Sequence, residues 1–116
     1  MTQPAQQIAI VLTTFGVGQA LAVARVLVDE RLAACVNILP PMASVYRWQG
    51  EVSVADEEQA VIKTTADRLA DLEARLRQLH PYELPEFLVI SADASSEAYL
   101  RWIGEAVHQV GPSPEI

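Results

Sequence analysis

The order of the hydrophobic patterns along the chain leaves few folds open. Residues 8–12 form a short, continuously apolar run, as expected of a strand that is covered on both faces. A helical pattern follows it, then two strand-like segments, a second helical pattern, a strand and a last helix. The order β-α-β-β-α-β plus a terminal helix predicts the α+β class, as a ferredoxin-like sandwich with a C-terminal helix.

The first helical pattern follows Thr13-Thr14. Apolar side chains recur there at helical spacing, which predicts a stripe that faces the core. Its members are Val17, Leu21, Ala24, Val28 and Leu32.

A long hairpin is predicted between the two helices. Its first arm runs from about residue 35 to 49 and is interrupted by Pro40-Pro41, because proline cannot donate a hydrogen bond to a neighbouring strand. Beyond the prolines, alternation places Ser44, Tyr46 and Trp48 on one face.

The hairpin turns at Gln49-Gly50, a plausible tight turn. The returning arm then meets three charged residues, 56–58, which predict a break before the strand resumes at 60–64.

The second helix has the clearest pattern in the chain. Thr64 and Asp67 have the spacing of a capping box at its start, and His80-Pro81 ends it, since the residue before a proline disfavours helical geometry. Its apolar stripe is Leu69, Leu72, Leu76 and Leu79.

The last two elements are short. Residues 87–90 predict the fourth strand of the βαββαβ order, and a final helix opens near Ser95-Ser96 and stops at 111–112. Two helices on one face of the sheet would leave the other face uncovered, and another subunit is the simplest cover.

Composition narrows the possible functions. The 116 residues fit one domain, 1–116, with an ordered core of about 7–111, and 51% of them are hydrophobic. The net charge of −7 argues against nucleic acid, and no apolar run is long enough for a membrane span. Without a signal-peptide pattern, a cytoplasmic location is expected.

One group of polar candidates lies in the loop after the second helix. His80, Tyr82, Glu83 and Glu86 project from a segment that two prolines fix. Such a set suits metal capture, proton transfer or oxyanion binding, but the residue types alone favour a rigid connection with solvated side chains.

A second group lies on the hairpin. Lys63, the only lysine, accompanies Glu57, Tyr46 and Trp48, and is either an anion anchor or a surface charge that protects a strand edge. The single cysteine, Cys35, is expected to be a small buried side chain that coordinates nothing.

Five segments together resemble the CutA family of divalent-cation tolerance proteins, in the right order over about residues 8–104. They are residues 32–38 (LAACVNI), 44–50 (SVYRWQG), 62–64 (IKT), 80–86 (HPYELPE) and 99–102 (YLRW).

The resemblance implies a tight homotrimer built by the long hairpins, kinship with the PII signalling proteins, a role in metal tolerance, and a ligand-binding cleft shared between subunits. Carried over by position, the cleft residues are Tyr46, Trp48, Glu57, Lys63, His80, Tyr82 and Glu83.

The chain departs from family members credited with copper binding. Those have a cysteine and a second histidine where this chain has Thr13 and Leu79, which leaves His80 as the metal ligand. An imidazole with nearby carboxylates predicts weak binding of zinc, nickel, Cu(II) or a similar ion, and disfavours Cu(I).

Three functions therefore stay open. The first is a trimeric binding or signalling module whose clefts take a metal or a small anion. The second is an enzyme with His80 as general acid–base and Lys63 as the stabilising charge. The third is a structural or partner-binding trimer without a ligand.

Overall fold

The structure is a computed structural model, and it describes residues 7–108. The last helix ends at Val107, because His108 has extended geometry, so its predicted end at 111–112 is wrong. The last residues of the predicted core lie outside the described residues.

Five strands and three helices follow one another within residues 7–108. The strands are β1 (Ile8–Gly16), β2 (Cys35–Ile38), β3 (Met42–Trp48), β4 (Glu51–Thr65) and β5 (Leu88–Ser91). The helices are α1 (Ala20–Asp29), α2 (Leu69–Leu79) and α3 (Glu97–Val107), with a 3₁₀ turn at Ala66–Arg68.

The sheet confirms the predicted ferredoxin-like architecture. Its strand order is β2-β4-β1-β5, with β3 also paired to β4, and every pairing is antiparallel. Strands β2 and β3 are thus two parts of one arm, separated at the predicted proline pair.

The predicted break at residues 56–58 is wrong, because β4 runs through them without interruption. Glu57 and Glu58 are each only 8% exposed. Glu58 accepts a hydrogen bond at 2.9 Å from the backbone N–H of Ala20, the first residue of α1, where a negative charge also suits the helix dipole. The backbone of Ala20, distant in sequence, therefore stabilises the Glu58 carboxylate, although the local sequence pattern assigns Glu58 to a loop.

The main core lies between the sheet and helices α1 and α2. The leucine stripe of α2 is confirmed: Leu72 and Leu76 are buried, and Leu69 and Leu79 pack against the same cluster. The α2 stripe therefore anchors this side of the sheet.

The stripe predicted for α1 is only partly right. Ala24 and Leu32 are buried as predicted, whereas Val17, Leu21 and Val28 are exposed. The rest of the buried face of α1 is formed by Ala20, Val23 and Leu27.

The start of α2 differs from the predicted capping box. The Thr64 hydroxyl is buried and donates to the carbonyl of Leu32, so it cannot cap the helix. Thr65 instead donates to Asp67, and His108, directly after α3, contacts the same carboxylate at 2.6 Å. The His108 contact fastens the end of α3 to the turn that precedes α2.

Helix α3 covers one end of the opposite sheet face. Ile8 packs in a cluster with Ile103 and Val107 of α3, whereas Val11, which alternation places on the other face, belongs to the main core. The face predicted to be uncovered is thus covered at this end. Farther along it, Leu88 and Ile90 of β5 remain exposed.

The β3–β4 hairpin projects from the body of the domain. Strand β1 pairs with residues 57–65 of β4, so residues 51–56 pair with β3 alone. The predicted turn is confirmed, with positive φ at Gln49 (52°) and Gly50 (84°), as the type I′ hairpin turn requires. A two-stranded ribbon is marginally stable by itself, so the projecting part of the hairpin has little stabilisation from the sheet.

Cys35 is half-buried within one chain, a correction to its predicted full burial. It opens the short strand β2, and its thiol lies 3.8 Å from the side-chain oxygen of Asn37, a weak contact. We predict that Cys35→Ala changes the free energy of unfolding by less than about 1 kcal/mol, because it removes one sulfur and no strong hydrogen bond. Denaturant unfolding would measure this, and a loss above about 2 kcal/mol would contradict it.

Candidate ligand-binding cleft

A cleft of about 580 Å³ opens between the projecting hairpin and the loop that follows α2. Its volume lies in the range typical of small-molecule sites. It is lined by Thr14, Ser44, Tyr46, Trp48, Glu57, Tyr82, Glu83, Leu84, Pro85 and Glu86.

The hairpin contributes an aromatic wall. Ser44, Tyr46 and Trp48 alternate with the outward residues of β3, so they share one face, and neighbouring members are about 7 Å apart. Tyr46 and Trp48 remain 43% and 41% exposed. Two large rings therefore stand at the mouth of the cleft, accessible to a ligand.

The floor of the cleft holds a carboxylate bound to a phenol. The Tyr82 hydroxyl donates to Oε2 of Glu57 at 2.5 Å. Burial, the hydrogen bond to Glu57 and the charge of that carboxylate together raise the pKa of Tyr82 to about 12. Tyr82 is thus a hydrogen-bond donor at neutral pH, and it holds Glu57 in place.

The charge of the cleft is negative. Glu83 and Glu86 join Glu57 in its wall, and among residues 7–108 no Lys, Arg or His lines it. Burial raises the pKa of Glu86, and the charge of Glu57 raises it further. The carboxylates thus repel one another without a compensating cation among the residues that line the cleft.

His80 lies behind the cleft and is 6% exposed. Its ring stacks on Phe15, with centroids 4.2 Å apart and planes 13° apart. The backbone N–H of Tyr82 donates to Nδ1 at 3.1 Å, and Nε2 lies 2.8 Å from the carbonyl oxygen of Thr14. Since Nδ1 accepts, Nε2 carries the proton and donates, which defines a neutral ring with both nitrogens occupied.

This geometry does not fit the predicted use of His80 as a metal ligand. A metal needs a free lone pair on a ring nitrogen, and here the Nδ1 lone pair already accepts a backbone hydrogen bond. Within residues 7–108, no group of three or more His, Cys, Asp or Glu side chains is placed to hold a metal ion. The described side chains therefore form no ready-made transition-metal site.

Lys63 is not brought to the cleft within one chain. It pairs with Ile10 in β1, whereas Glu57 pairs with Gly16, so the two lie six residues apart on β4, about 20 Å along the strand. Its other neighbour in the sheet is Cys35 of β2. A cleft that includes Lys63 would require a second copy of the chain.

Thr14 is one of the cleft residues that sequence reasoning overlooked. It lines the cleft with its side chain, and its carbonyl accepts from His80. Alternation along β1 could have found it, because Thr14 pairs with Gln59 on the sheet face that also carries Glu57.

The buried histidine predicts a pH-dependent stability. Burial lowers the pKa of His80 below its ordinary 6.5, although the Thr14 carbonyl and the charge of Glu57 oppose this. The unfolded chain therefore takes up a proton that the folded chain excludes. The contribution of neutral His80 to the free energy of unfolding is complete above pH 6.5. It is lost as the pH falls through the folded-state pKa, by up to about 1.4 kcal/mol per pH unit.

Denaturant unfolding of wild type and His80→Asn at pH 7.5 and pH 5.5 measures this slope. We expect wild type to lose more stability than the variant between pH 7.5 and pH 5.5. This interval lies above the ordinary pKa values of carboxylates. His108 is present in both proteins, so its contribution cancels. Equal losses would contradict the assignment of a buried, neutral imidazole.

Comparison with known proteins gives a consistent result. Residues 8–106 match the family model described as CutA1 divalent ion tolerance protein. The divalent-cation tolerance protein CutA of Thermus thermophilus is 44% identical over 86 residues, which cover 74% of this chain and 84% of that protein. The chain spans a smaller share, 51–57%, of the vertebrate CutA proteins it matches.

The compartments named for relatives differ from one another. A matching Arabidopsis protein is named as chloroplastic, and a solved Archaeoglobus fulgidus structure is described as periplasmic. Among residues 7–108, no helix has the length and hydrophobicity of a membrane span. The cytoplasmic location stays a prediction.

Solved structures share the fold over most of their length. The Thermus thermophilus divalent cation tolerance protein superposes with a TM-score of 0.84 at 40% identity, covering 87% of this chain and 99% of that one. The PII-like protein CutA from Nostoc gives 0.82 at 38% identity, covering 86% and 97%. The chain therefore belongs to the CutA1 family of divalent ion tolerance proteins.

Proposed function

We propose that this protein is a homotrimeric binding module of the divalent ion tolerance family. In this proposal each cleft beside a β3–β4 hairpin holds a small ligand, and occupancy of the clefts is the signal, as in a PII-like protein. The observation that carries the proposal is the cleft itself, with two accessible rings on β3 and the buried carboxylate of Glu57 on β4.

The projecting hairpin supports the assembly. Its face opposite the cleft carries Val45, Val52 and Val54, which are 68%, 63% and 69% exposed in one chain. Apolar side chains on a two-stranded ribbon need a cover, and a neighbouring copy supplies it. The number of copies, three, follows from the family resemblance.

A metal ion is the weaker candidate for the ligand. The family description points to divalent ions, and Glu57, Glu83 and Glu86 would offer such an ion oxygen atoms. With His80 occupied by the backbone, this set favours weak binding of a hard ion and disfavours Cu(I).

Catalysis by His80 and Lys63 gains no support from the geometry. The imidazole is buried and fully hydrogen-bonded, and the ammonium belongs to a different stretch of the same strand. We therefore place this protein among binding modules.

The test is to identify what the purified protein carries. Denaturing the protein and analysing the released material by mass spectrometry and elemental analysis should reveal a small molecule or ion in substoichiometric or full amount. Filling the cleft with Ser44→Phe should abolish retention, whereas Ala22→Phe, on the exposed side of α1, should not. Equal retention by both variants, or none by wild type, would contradict the proposal.

A further inference from the structure

Two oppositely charged side chains lie on the same face of the sheet, too far apart to meet within one chain. We propose that Lys63 of one copy forms an ion pair with Glu57 of the neighbouring copy and that this contact completes each cleft. The inference rests on the proposed function and deepens it, because it names the residue that the neighbouring copy contributes to the site.

Lys63 is surrounded by apolar neighbours in the sheet. It is half-buried, and its side chain shares a face with those of its pairing partners, Ile10 on β1 and Cys35 on β2. Beyond Ile10 on the same face lies Ile90 of β5, which is 46% exposed. Within residues 7–108, Lys63 forms no ion pair. The uncovered part of the sheet thus carries one cation in an apolar setting.

Covering this face with a second copy makes the lysine need a partner. The apolar side chains around Lys63 favour such a cover, since their burial is the main driving force of association. Once covered, the ammonium loses its contact with water, and a buried ammonium without a partner is costly. A neighbouring copy that covers this face therefore has to bring a carboxylate to Lys63.

Glu57 is the carboxylate that fits this requirement. Its side chain is 8% exposed and lines the cleft. Within residues 7–108 the carboxylate accepts one hydrogen bond, from the Tyr82 hydroxyl, and forms no ion pair. Glu58 is equally buried but accepts from the backbone of Ala20 on the opposite face of the sheet. One contact between copies would thus pair both the carboxylate of Glu57 and the ammonium of Lys63.

The geometry of β4 excludes this pair within a single chain. Lys63 and Glu57 are six residues apart, an even number that places them on one face, about 20 Å apart along the strand. That separation is far beyond the reach of a lysine side chain. In a closed ring of three copies, each copy gives one lysine to its neighbour and receives another, so that every cleft is completed in the same way.

The test is a double-mutant cycle on the assembly of the full-length protein. Analytical ultracentrifugation at a urea concentration that partly dissociates wild type measures the midpoint concentration of dissociation, and circular dichroism verifies the fold. Lys63→Met and Glu57→Gln should each raise that midpoint at least about a hundredfold, because each leaves the other charge buried and unpaired. The double variant should lie within about tenfold of wild type, since it buries neither charge.

A matched control comes from α2. Arg77 and Glu73 form an ion pair at 2.8 Å whose side chains are 70% and 46% exposed. Arg77→Met and Glu73→Gln therefore remove the same two charges at the surface of the helix layer. An exposed ion pair contributes little, so these variants should change the midpoint by less than about threefold.

A chemical crosslink identifies the partner of Lys63 directly, and it decides the question if Glu57→Gln fails to fold. Lys63 is the only lysine, so a carbodiimide, which joins amines to carboxylates in contact, has one lysine side chain to link. Mass spectrometry should find an amide between Lys63 and Glu57. Mixed assemblies of ¹⁵N-labelled and unlabelled protein should show that the two residues come from different copies.

Three outcomes would overturn the pairing. They are additive effects of the two substitutions, a crosslink of Lys63 to a carboxylate other than Glu57, and no crosslink of Lys63 at all. Each of these leaves the proposed function standing if the purified wild type keeps the mass of a trimer and its bound ligand. A wild-type protein that is monomeric and carries nothing would contradict both proposals.

Discussion

Replacing His80 by alanine is expected to lower the free energy of unfolding by about 3 kcal/mol, the larger part of it from hydrogen bonds. The substitution leaves the half-buried Tyr82 N–H and Thr14 carbonyl without their partners and removes the ring that stacks on Phe15. Each lost partner costs about 1 kcal/mol or more, and the vacated space adds to the loss. Equilibrium denaturation at pH 7.5 measures the effect.

The other histidine is the matched control. His108 is 44% exposed in its side chain and contacts Asp67 in a surface pair, so His108→Ala should cost about 1 kcal/mol or less. Because the cleft residue Tyr82 also depends on His80, ligand binding should weaken in parallel with stability. A His80→Ala protein as stable as wild type but deficient in metal binding would restore the metal-ligand role and contradict our assignment.

Charging the hairpin is expected to dissociate the assembly. Val45 and Val54 are opposite each other in the β3–β4 pair and are exposed in the single chain. The double substitution Val45→Glu and Val54→Glu should leave the fold of one chain intact, because neither side chain belongs to its core. If a neighbouring copy covers them, burying unpaired charges costs about 4 kcal/mol and raises the dissociation constant about a thousandfold.

Analytical ultracentrifugation across a concentration series would follow the dissociation, with circular dichroism to verify the fold. Leu21→Glu is the control, since Leu21 is 59% exposed on α1, away from the hairpin. An unchanged assembly in the hairpin variant, or equal dissociation by the control, would show that the hairpin is not the interface.

Patterns that depend on neighbours in sequence predicted most of the fold. Leucines at helical spacing identified α2, proline ended it after Leu79, and Gln49-Gly50 marked the hairpin turn. The α1 stripe was partly misassigned because aliphatic residues occupy nearly every position from Ala20 to Val28, so several helical faces satisfy the same spacing.

The cleft was harder to predict because tertiary contacts define it. The residues 56–58 read as a loop until Glu57 is placed beside Tyr82, 25 residues away. The protonation and hydrogen bonds of His80 depend on Thr14, 66 positions away. The family resemblance predicted the cleft residues as a set. It did not predict that His80 lies behind the cleft, or that Lys63 lies about 20 Å along β4 from Glu57.

The mass of the native protein in solution tests the central claim most directly, since a cleft at a subunit boundary requires the assembly. Light scattering at micromolar concentration should give about 38 kDa, three times the chain mass of 12.7 kDa. A single species of 12.7 kDa under the same conditions would contradict the trimer and the shared cleft with it.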